Sequence, residues 1–476
     1  MKIKFEWDSG KRQGILLGEG LQEIREHFSV ENPAAKFARY MRSFIPSRKY
    51  VITPTGRFNV GMHSLIVDYA EKAYNDPEIL YSDDFVKNLL PAIKVDELSD
   101  LKIPLRDYQK DIVKECLSAG RGTVVLATAG GKTLTIASLI ESIFKDDKTF
   151  KGILMVPDRG LVEQTFNDFA DYGVSFTYSK WTGDDSLNMG SNIIICNLGI
   201  LQSDKSEIDW LNDVDVCILD EVHKLRSGNK INDLLKKIRT PRRFGFTGTM
   251  PEELIDQWNI IGKIGPIIYE RNSYDLRKDK YIADVKALVL SVDYLNKPTY
   301  SSTNPIQKYR EEIDYIIHSK FRNNIISSLC KNFDKNALIL VDFIEHGTIL
   351  HSHLSSTCQG KKVFFIRGDV ELDDREKIKS IMEMEDNIIV VAISKIFSTG
   401  INIKNIHYIV FGSGGKAKIK TLQSIGRGLR LHKDKSKLLL IDIGDNLLYG
   451  KQHLQKRISL YQKENIQYGS QTVTEK

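Results

Sequence analysis

Long apolar runs are missing from this sequence. None approaches the ~18 residues that a membrane-spanning helix needs, so no membrane partner is expected. Cysteine is scarce, with five in 476 residues, and Cys116, Cys196, Cys217, Cys330 and Cys358 form no CxxC pair. That argues against a disulfide framework or a zinc site and in favour of reduced thiols in the core. With 12 prolines and 41% hydrophobic residues, the composition is that of a globular chain rather than a disordered or fibrous one. No low-complexity tract or short-period repeat is visible. The opening Met1-Lys-Ile-Lys-Phe-Glu-Trp-Asp8 places charges where a signal peptide needs an apolar core, so a cytosolic setting is expected. Acidic residues are absent between Asn32 and Val67, where Lys36, Arg39, Arg42, Arg48, Lys49 and Arg57 accumulate. A second basic stretch runs from Lys416 to Lys437. Against a net charge of only +6, this uneven distribution suits a polyanionic partner.

The chain is long enough for about three domains at ~150 residues each. From about residue 100, short β-branched and aliphatic runs alternate with helix-length segments, the pattern of parallel sheets covered by helices. The runs are Thr123–Ala127, Gly152–Val156, Asn192–Cys196 and Val214–Leu219. The pattern then restarts with Ala337–Val341, Lys362–Ile366, Ile388–Ala392, Ile406–Phe411 and Leu438–Ile441. The expected fold class is therefore α/β: two tandem lobes with parallel sheets plus a small N-terminal α+β domain. The expected divisions are 1–95, 96–275, 276–450 and a helical tail over 451–476. Pro54 and Gly56 favour a turn, which predicts a hairpin over Tyr50–Phe58.

The most informative segment is Thr123-Val-Val-Leu-Ala-Thr-Ala-Gly-Gly-Lys-Thr-Leu-Thr135, an apolar strand, a small-residue loop and a helix start. Backbone N–H groups of such a loop, around Ala129, Gly130 and Gly131, can cradle phosphates. Lys132 can reach the β and γ phosphates of ATP, and the Thr133 hydroxyl can hold Mg²⁺. The full GxxxxGK[ST] pattern is not met, because position 126 is Leu. Further along, Val214-Asp-Val-Cys-Ile-Leu-Asp220-Glu221-Val-His223 delivers two carboxylates to the C-terminal end of a strand. Asp220 can bind the metal, and Glu221 can orient and deprotonate the attacking water. Arg427 and Arg430, three apart on a helix, share a face, and guanidinium forks suit phosphate oxygens.

With the loop before it, Asp220-Glu-Val-His223 resembles the DEXH-type helicases of superfamily two, and further segments fit that family in order. Leu105-Arg-Asp-Tyr-Gln109 is similar to the segment whose glutamine reads adenine. Val156-Pro157-Asp-Arg159-Gly-Leu-Val-Glu-Gln164 resembles the first nucleic-acid-contacting motif. Phe246-Thr247-Gly-Thr249 resembles the motif that, with His223, couples ATP state to movement. Ile396-Phe-Ser398-Thr399-Gly400-Ile-Asn402 resembles the motif touching both nucleic acid and nucleotide, and Gln423-Ser-Ile-Gly-Arg427-Gly-Leu-Arg430 closes the set. Arg375 joins the candidate nucleic-acid contacts. The resemblance implies RecA-like lobes, ATP and Mg²⁺ as cofactors, coupling through Gln423, and arginine fingers at Arg427 and Arg430. Ala127 stands where many relatives have proline, and Asn197 and Gly199 where threonine and glutamine are expected.

More narrowly, the chain resembles the UvsW-type phage recombination and branch-migration DNA helicases. That implies branch migration, fork regression and removal of RNA–DNA hybrids, in a bacterial or phage-infected cytosol. Alternatives that stay open are the motor subunit of a restriction or nuclease complex, an ATP-switched nucleic-acid clamp, and an RNA helicase. The N-terminal stretch from Lys36 to Tyr50 interleaves cations, Arg39, Arg42, Arg48 and Lys49 among them, with aromatics. It either clasps a DNA junction or fills a small core beneath solvated cations. In the tail, His453, Arg457 and Tyr461 recur every four residues and share a helical face, for docking onto the second lobe or for DNA contact.

Overall fold

The computed structural model describes all residues except 33, 36–44, 90–97, 99, 184, 204–207, 369–371, 395–402, 404 and 414–436, and the side chains of 372, 373, 375 and 376. The chain divides into two compact units. One holds Met1–Leu126 with Gly131–Glu270, the other Ala127–Gly130 with Arg271–Lys476. No helix among the described residues is long and apolar enough to cross a membrane.

In the first unit a seven-stranded parallel sheet runs, edge to edge, Ile267–Arg271, Gly122–Leu126, Arg243–Thr247, Val216–Asp220, Gly152–Val156, Ile193–Asn197 and Tyr178–Trp181. Helices cover it, so Gly122–Leu126, Gly152–Val156 and Ile193–Asn197 are buried at every residue. This is why their sequences read as unbroken apolar runs rather than alternations. Parallel pairing in register, for example Asp220 with Phe246 and Leu219 with Met155, brings all the strand C-termini to one edge.

The N-terminal residues form a four-stranded sheet ordered Arg57–Phe58, Gln13–Gly18, Lys2–Asp8 and Glu78–Tyr81, antiparallel except for the last pairing. Its core of Phe5, Phe58, Phe85, Met62 and Ile66 also takes in Ile261, from the helix Leu254–Lys263 that belongs to the larger sheet. Contact there is so close that a Cβ on Gly61 would stand 1.9 Å from the Ile261 carbonyl oxygen. The expected turn at Thr53–Gly56 is present, with Gly56 N–H donating to the Thr53 carbonyl at 3.0 Å. Its arms do not form the predicted hairpin, however. Arg48–Tyr50 pairs with Ser29–Glu31, while Arg57–Phe58 pairs with Gln13–Gly18.

The second unit carries another seven-stranded parallel sheet: Lys362–Ile366, Ile388–Ile393, Ala337–Val341, Tyr408–Phe411, Lys437–Asp445, Asp284–Asp293 and Gln467–Thr474. The predicted helical tail is helical only over Gly450–Lys463, and Gln467–Thr474 is instead an edge strand beside Asp284–Asp293. Of the two readings of the tail helix, docking holds. Arg457 grips Asp442 with both Nε (2.9 and 3.0 Å) and Nη2 (2.7 Å), and Tyr461 donates its hydroxyl proton to the same carboxylate at 2.7 Å. All five cysteines are free and buried.

Candidate ATP site

The loop after Gly122–Leu126 leads straight into the helix Lys132–Asp146, whose N-cap is Gly131 and which has no side-chain cap. The first-turn N–H groups are therefore left for an anion, at the positive end of the helix dipole. Gly131 has φ of 79°, a left-handed conformation that any side chain would strain, and a Cβ there would also meet the Gln109 amide at 2.4 Å. Ala129 is likewise left-handed, at φ 69°, and Gly130 N–H closes a turn onto the Ala127 carbonyl at 2.9 Å. Gln109 is buried. Its Oε1 accepts from Arg106 N–H at 2.9 Å and its Nε2 donates to the Gly131 carbonyl at 3.3 Å, which ties this helix start to the phosphate-type loop. Thr133 follows Lys132 in the first helical turn, half-buried.

At the same sheet edge, Asp220 ends its strand and Glu221 turns left-handed at φ 52°. Asp220 Oδ1 accepts the Glu221 N–H at 2.8 Å, which holds this strained turn in place. Glu221 Oε1 lies 3.5 Å from Lys132 Nζ, and Oε2 lies 3.2 Å from His223 Nδ1. His223 Nδ1 is also 3.0 Å from Thr247 Oγ1. Thr247 spends its one hydroxyl proton on the Thr249 carbonyl, at 2.9 Å, so it must accept from His223, whose Nδ1 then carries the proton. A hydrogen-bonded chain thus runs His223–Thr247–Thr249 across two neighbouring strands, with the Glu221 carboxylate beside its His223 end.

Burial first, and then the charge of Glu221, push the Asp220 carboxyl up to about 6, with Lys132 pulling the other way. A desolvated carboxylate short of positive charge fits a divalent cation. Among the described residues no group of three or more His, Cys, Asp or Glu could hold a metal by itself. The donor set at hand, Asp220 and the Thr133 hydroxyl, suits Mg²⁺ completed by substrate phosphates and water.

Pro157 and Arg159 leave the C-terminal end of Gly152–Val156, Arg159 exposed and Pro157 half-buried. Asp158 caps the helix Arg159–Tyr172, accepting from Leu161 N–H at 3.1 Å, and Gln164 sits in its second turn. Asn197 is buried at the end of its strand. In the N-terminal domain Arg48 donates to Ser29 Oγ at 2.8 Å and lies 3.5 Å from Glu26, while Lys49 is exposed. Tyr50 donates to Glu26 and is covered by the Arg25 guanidinium at 3.6 Å, so that aromatic is used within the domain. Arg39, Arg42, Ser398, Thr399, Gly400, Gln423, Arg427 and Arg430 lie outside the described residues, as does the side chain of Arg375. A cationic cavity floored by Arg121, Arg243 and Lys263 was missed by sequence reading, because its members are scattered along the chain.

Residues 102–252 match the family described as type III restriction enzyme, res subunit, and residues 320–432 match the helicase conserved C-terminal domain. Over 488 aligned residues the chain is 28% identical to the ATP-dependent DNA helicase uvsW of Enterobacteria phage T4, covering 95% of each protein. It is 26% identical over 396 residues to the DNA 3'-5' translocase XPB2 of Sulfurisphaera tokodaii, covering 74% of this chain and 84% of that protein. Among solved structures, the DUF1998 helicase MrfA bound to DNA shares the fold with a TM-score of 0.58 and 16% identity. That match covers 78% of this chain and 50% of the other.

Proposed function

Because the chain belongs to the superfamily two helicases and is similar to the UvsW helicase along nearly its whole length, we propose that it is an ATP-dependent DNA helicase that remodels branched DNA. The observation that carries this reading is the convergence of Lys132, Asp220 and Glu221 at one sheet edge, with Glu221 3.2 Å from the His223 ring that is hydrogen-bonded to Thr247. In the proposed site the loop N–H groups and Lys132 hold the β and γ phosphates. Thr133 and Asp220 hold Mg²⁺, which when bound offsets charge on the phosphate oxygens. Glu221 orients the attacking water and accepts its proton. Its link to His223 and Thr247 lets occupancy of the site bias the end of the neighbouring strand, where Thr249 lies.

Gln109 sets the loop through Gly131, and on the family resemblance it is the proposed reader of adenine. Pro157, Arg159 and Gln164 are the proposed nucleic-acid contacts of this unit. On sequence grounds Ser398, Thr399, Gly400, Gln423, Arg427 and Arg430 belong to the same proposal, the two arginines as guanidinium donors to phosphate. Branch migration, fork regression and clearance of RNA–DNA hybrids are the proposed outcomes of the motor.

The test is ATP hydrolysis by wild type and Glu221→Gln with no nucleic acid, single strands, duplex and a four-way junction. Hydrolysis should be stimulated most by the junction and fall ~10²–10⁴-fold in the variant while ATP still binds. Indifference to every nucleic acid, or full activity without Glu221, rules the reading out.

A further inference from the structure

At the edge of the first sheet opposite the ATP site lies a cavity of about 600 Å³. Its walls are the Ser9–Gln13 turn of the N-terminal sheet, the stretch from Leu235 to Arg243, and the end of the helix Leu254–Lys263. Arg121 and Arg243 stand at the N-terminal ends of Gly122–Leu126 and Arg243–Thr247, whose C-terminal ends carry the phosphate-type loop and Thr247. Five parallel residues separate the two edges by ~17 Å, so one ligand group cannot serve both.

Every charged residue of the lining is cationic, among neutral ones. Lys11, Arg12, Lys236 and Arg239 form the rim, with Arg121, Arg243 and Lys263 below, and no carboxylate lines the cavity among the described residues. Helix capping explains part of this. Arg121 donates to the carbonyls of Ile264 (2.8 Å) and Lys263 (3.3 Å), and Arg243 to those of Thr240 (3.0 Å), Lys263 (3.1 Å) and Ile238 (2.7 Å). Those acceptors orient the guanidinium groups and leave their charge unpaired. Among the described residues, Lys236 alone on the rim has a carboxylate partner, the exposed Asp233 at 2.7 Å.

Lys263 has no such explanation. Its side chain is buried at 8% exposure, lines the cavity, and has no partner for its ammonium among the described residues. Burial first, then Lys236 and Arg243, lower its ammonium to about 8, and burial with Arg243 lowers Arg121 to about 9. The exposed Asp233 offsets this only in part, and a buried cation with two cations beside it is costly unless an anion joins it.

We propose that this cavity binds a phosphate-class anion, with Lys263 at its centre and Lys11, Arg12 and Arg239 closing over it. Occupancy ties the first turn of the N-terminal sheet to the helix Leu254–Lys263. The space admits a phosphate or pyrophosphate group, free or at the end of a nucleic-acid strand, rather than a duplex.

The probe is pyrophosphate, titrated calorimetrically into the full chain at fixed ionic strength without Mg²⁺. Lys132→Ala is the background, so that the phosphate-type loop contributes little. Binding is expected there, weakened at least tenfold by adding Lys263→Met and also by adding Lys11→Glu with Arg12→Glu, which alter only a surface turn. An oligonucleotide with a 5′-phosphate, compared with its 5′-hydroxyl twin, separates the sources. Competition assigns the site to strand ends, and no competition assigns it to the free anion. Absence of pyrophosphate binding in the Lys132→Ala protein, or equal affinity in all three backgrounds, overturns the proposal.

Discussion

Asp220 shows how one residue's position sets its chemistry. At the end of a buried strand and next to Glu221, its carboxyl is raised from 3.8 to about 6. Between those values the folded state holds more protons than the unfolded one, so this group's penalty on the fold is full above about 6 and fades as pH falls through it. Asp220→Asn should therefore raise the thermal midpoint of the nucleotide-free, Mg²⁺-free protein at pH 8. The gain should shrink as pH drops from about 6 toward 4, where the wild-type carboxyl is neutral too. Scanning fluorimetry across that range checks it, and a variant less stable than wild type at pH 8 would contradict desolvation as the leading cause. The same position suits a metal ligand, since a cation removes the penalty that burial imposes.

At the scale of elements, the helix Gly450–Lys463 is held to its sheet by charge as well as by apolar contact. Asp442, fully buried in Lys437–Asp445, takes three hydrogen bonds from Arg457 and one from Tyr461. Removing one partner leaves a buried carboxylate under-compensated, and a fully broken pair costs about 3–5 kcal/mol. Arg457→Met is expected to lower the stability of the second unit by that order, read as a drop in urea midpoint. Arg457→Met combined with Asp442→Leu should recover much of it, because an apolar pair has no charge to strand. If the single variant were as stable as wild type, the pair would not hold the helix. Four-residue spacing made this face legible in the sequence. The strand Gln467–Thr474 that follows was not, because its polar, largely exposed residues show neither an apolar run nor alternation.

For the whole molecule, a motor that tracks the phosphate backbone binds mainly through released counterions. Affinity for duplex and junction DNA should then fall by ~10³–10⁵ between 50 and 200 mM salt if about six to ten phosphates are contacted, with little dependence on base sequence. Fluorescence anisotropy with two unrelated sequences of matched shape measures both. A flat salt response would refute backbone tracking, whereas a strong preference for one sequence would require base contacts.

What the sequence determined alone is whatever is encoded within one strand–loop–helix length of chain. The apolar runs marked most of the central strands, and Gly131-Lys132-Thr133 and Asp220-Glu221 marked the candidate ATP site, because burial on both faces and phosphate binding each demand particular residues at adjacent positions. Asp284–Asp293 was not among the expected runs because charged and apolar residues alternate over its first half, and Arg243–Thr247, which carries Thr247, was too mixed in composition to stand out as a run. Only the tertiary structure decided which strands are neighbours, and with that the 3.0 Å meeting of His223 and Thr247, the bridge from Gln109 to Gly131, and the gathering of Arg12, Arg121, Arg243 and Lys263 around one cavity. Those contacts join residues 22 to more than 200 positions apart. Such distances are closed by sheet pairing and helix packing, whose free energy is shared over many side chains and leaves no mark on any one stretch of sequence.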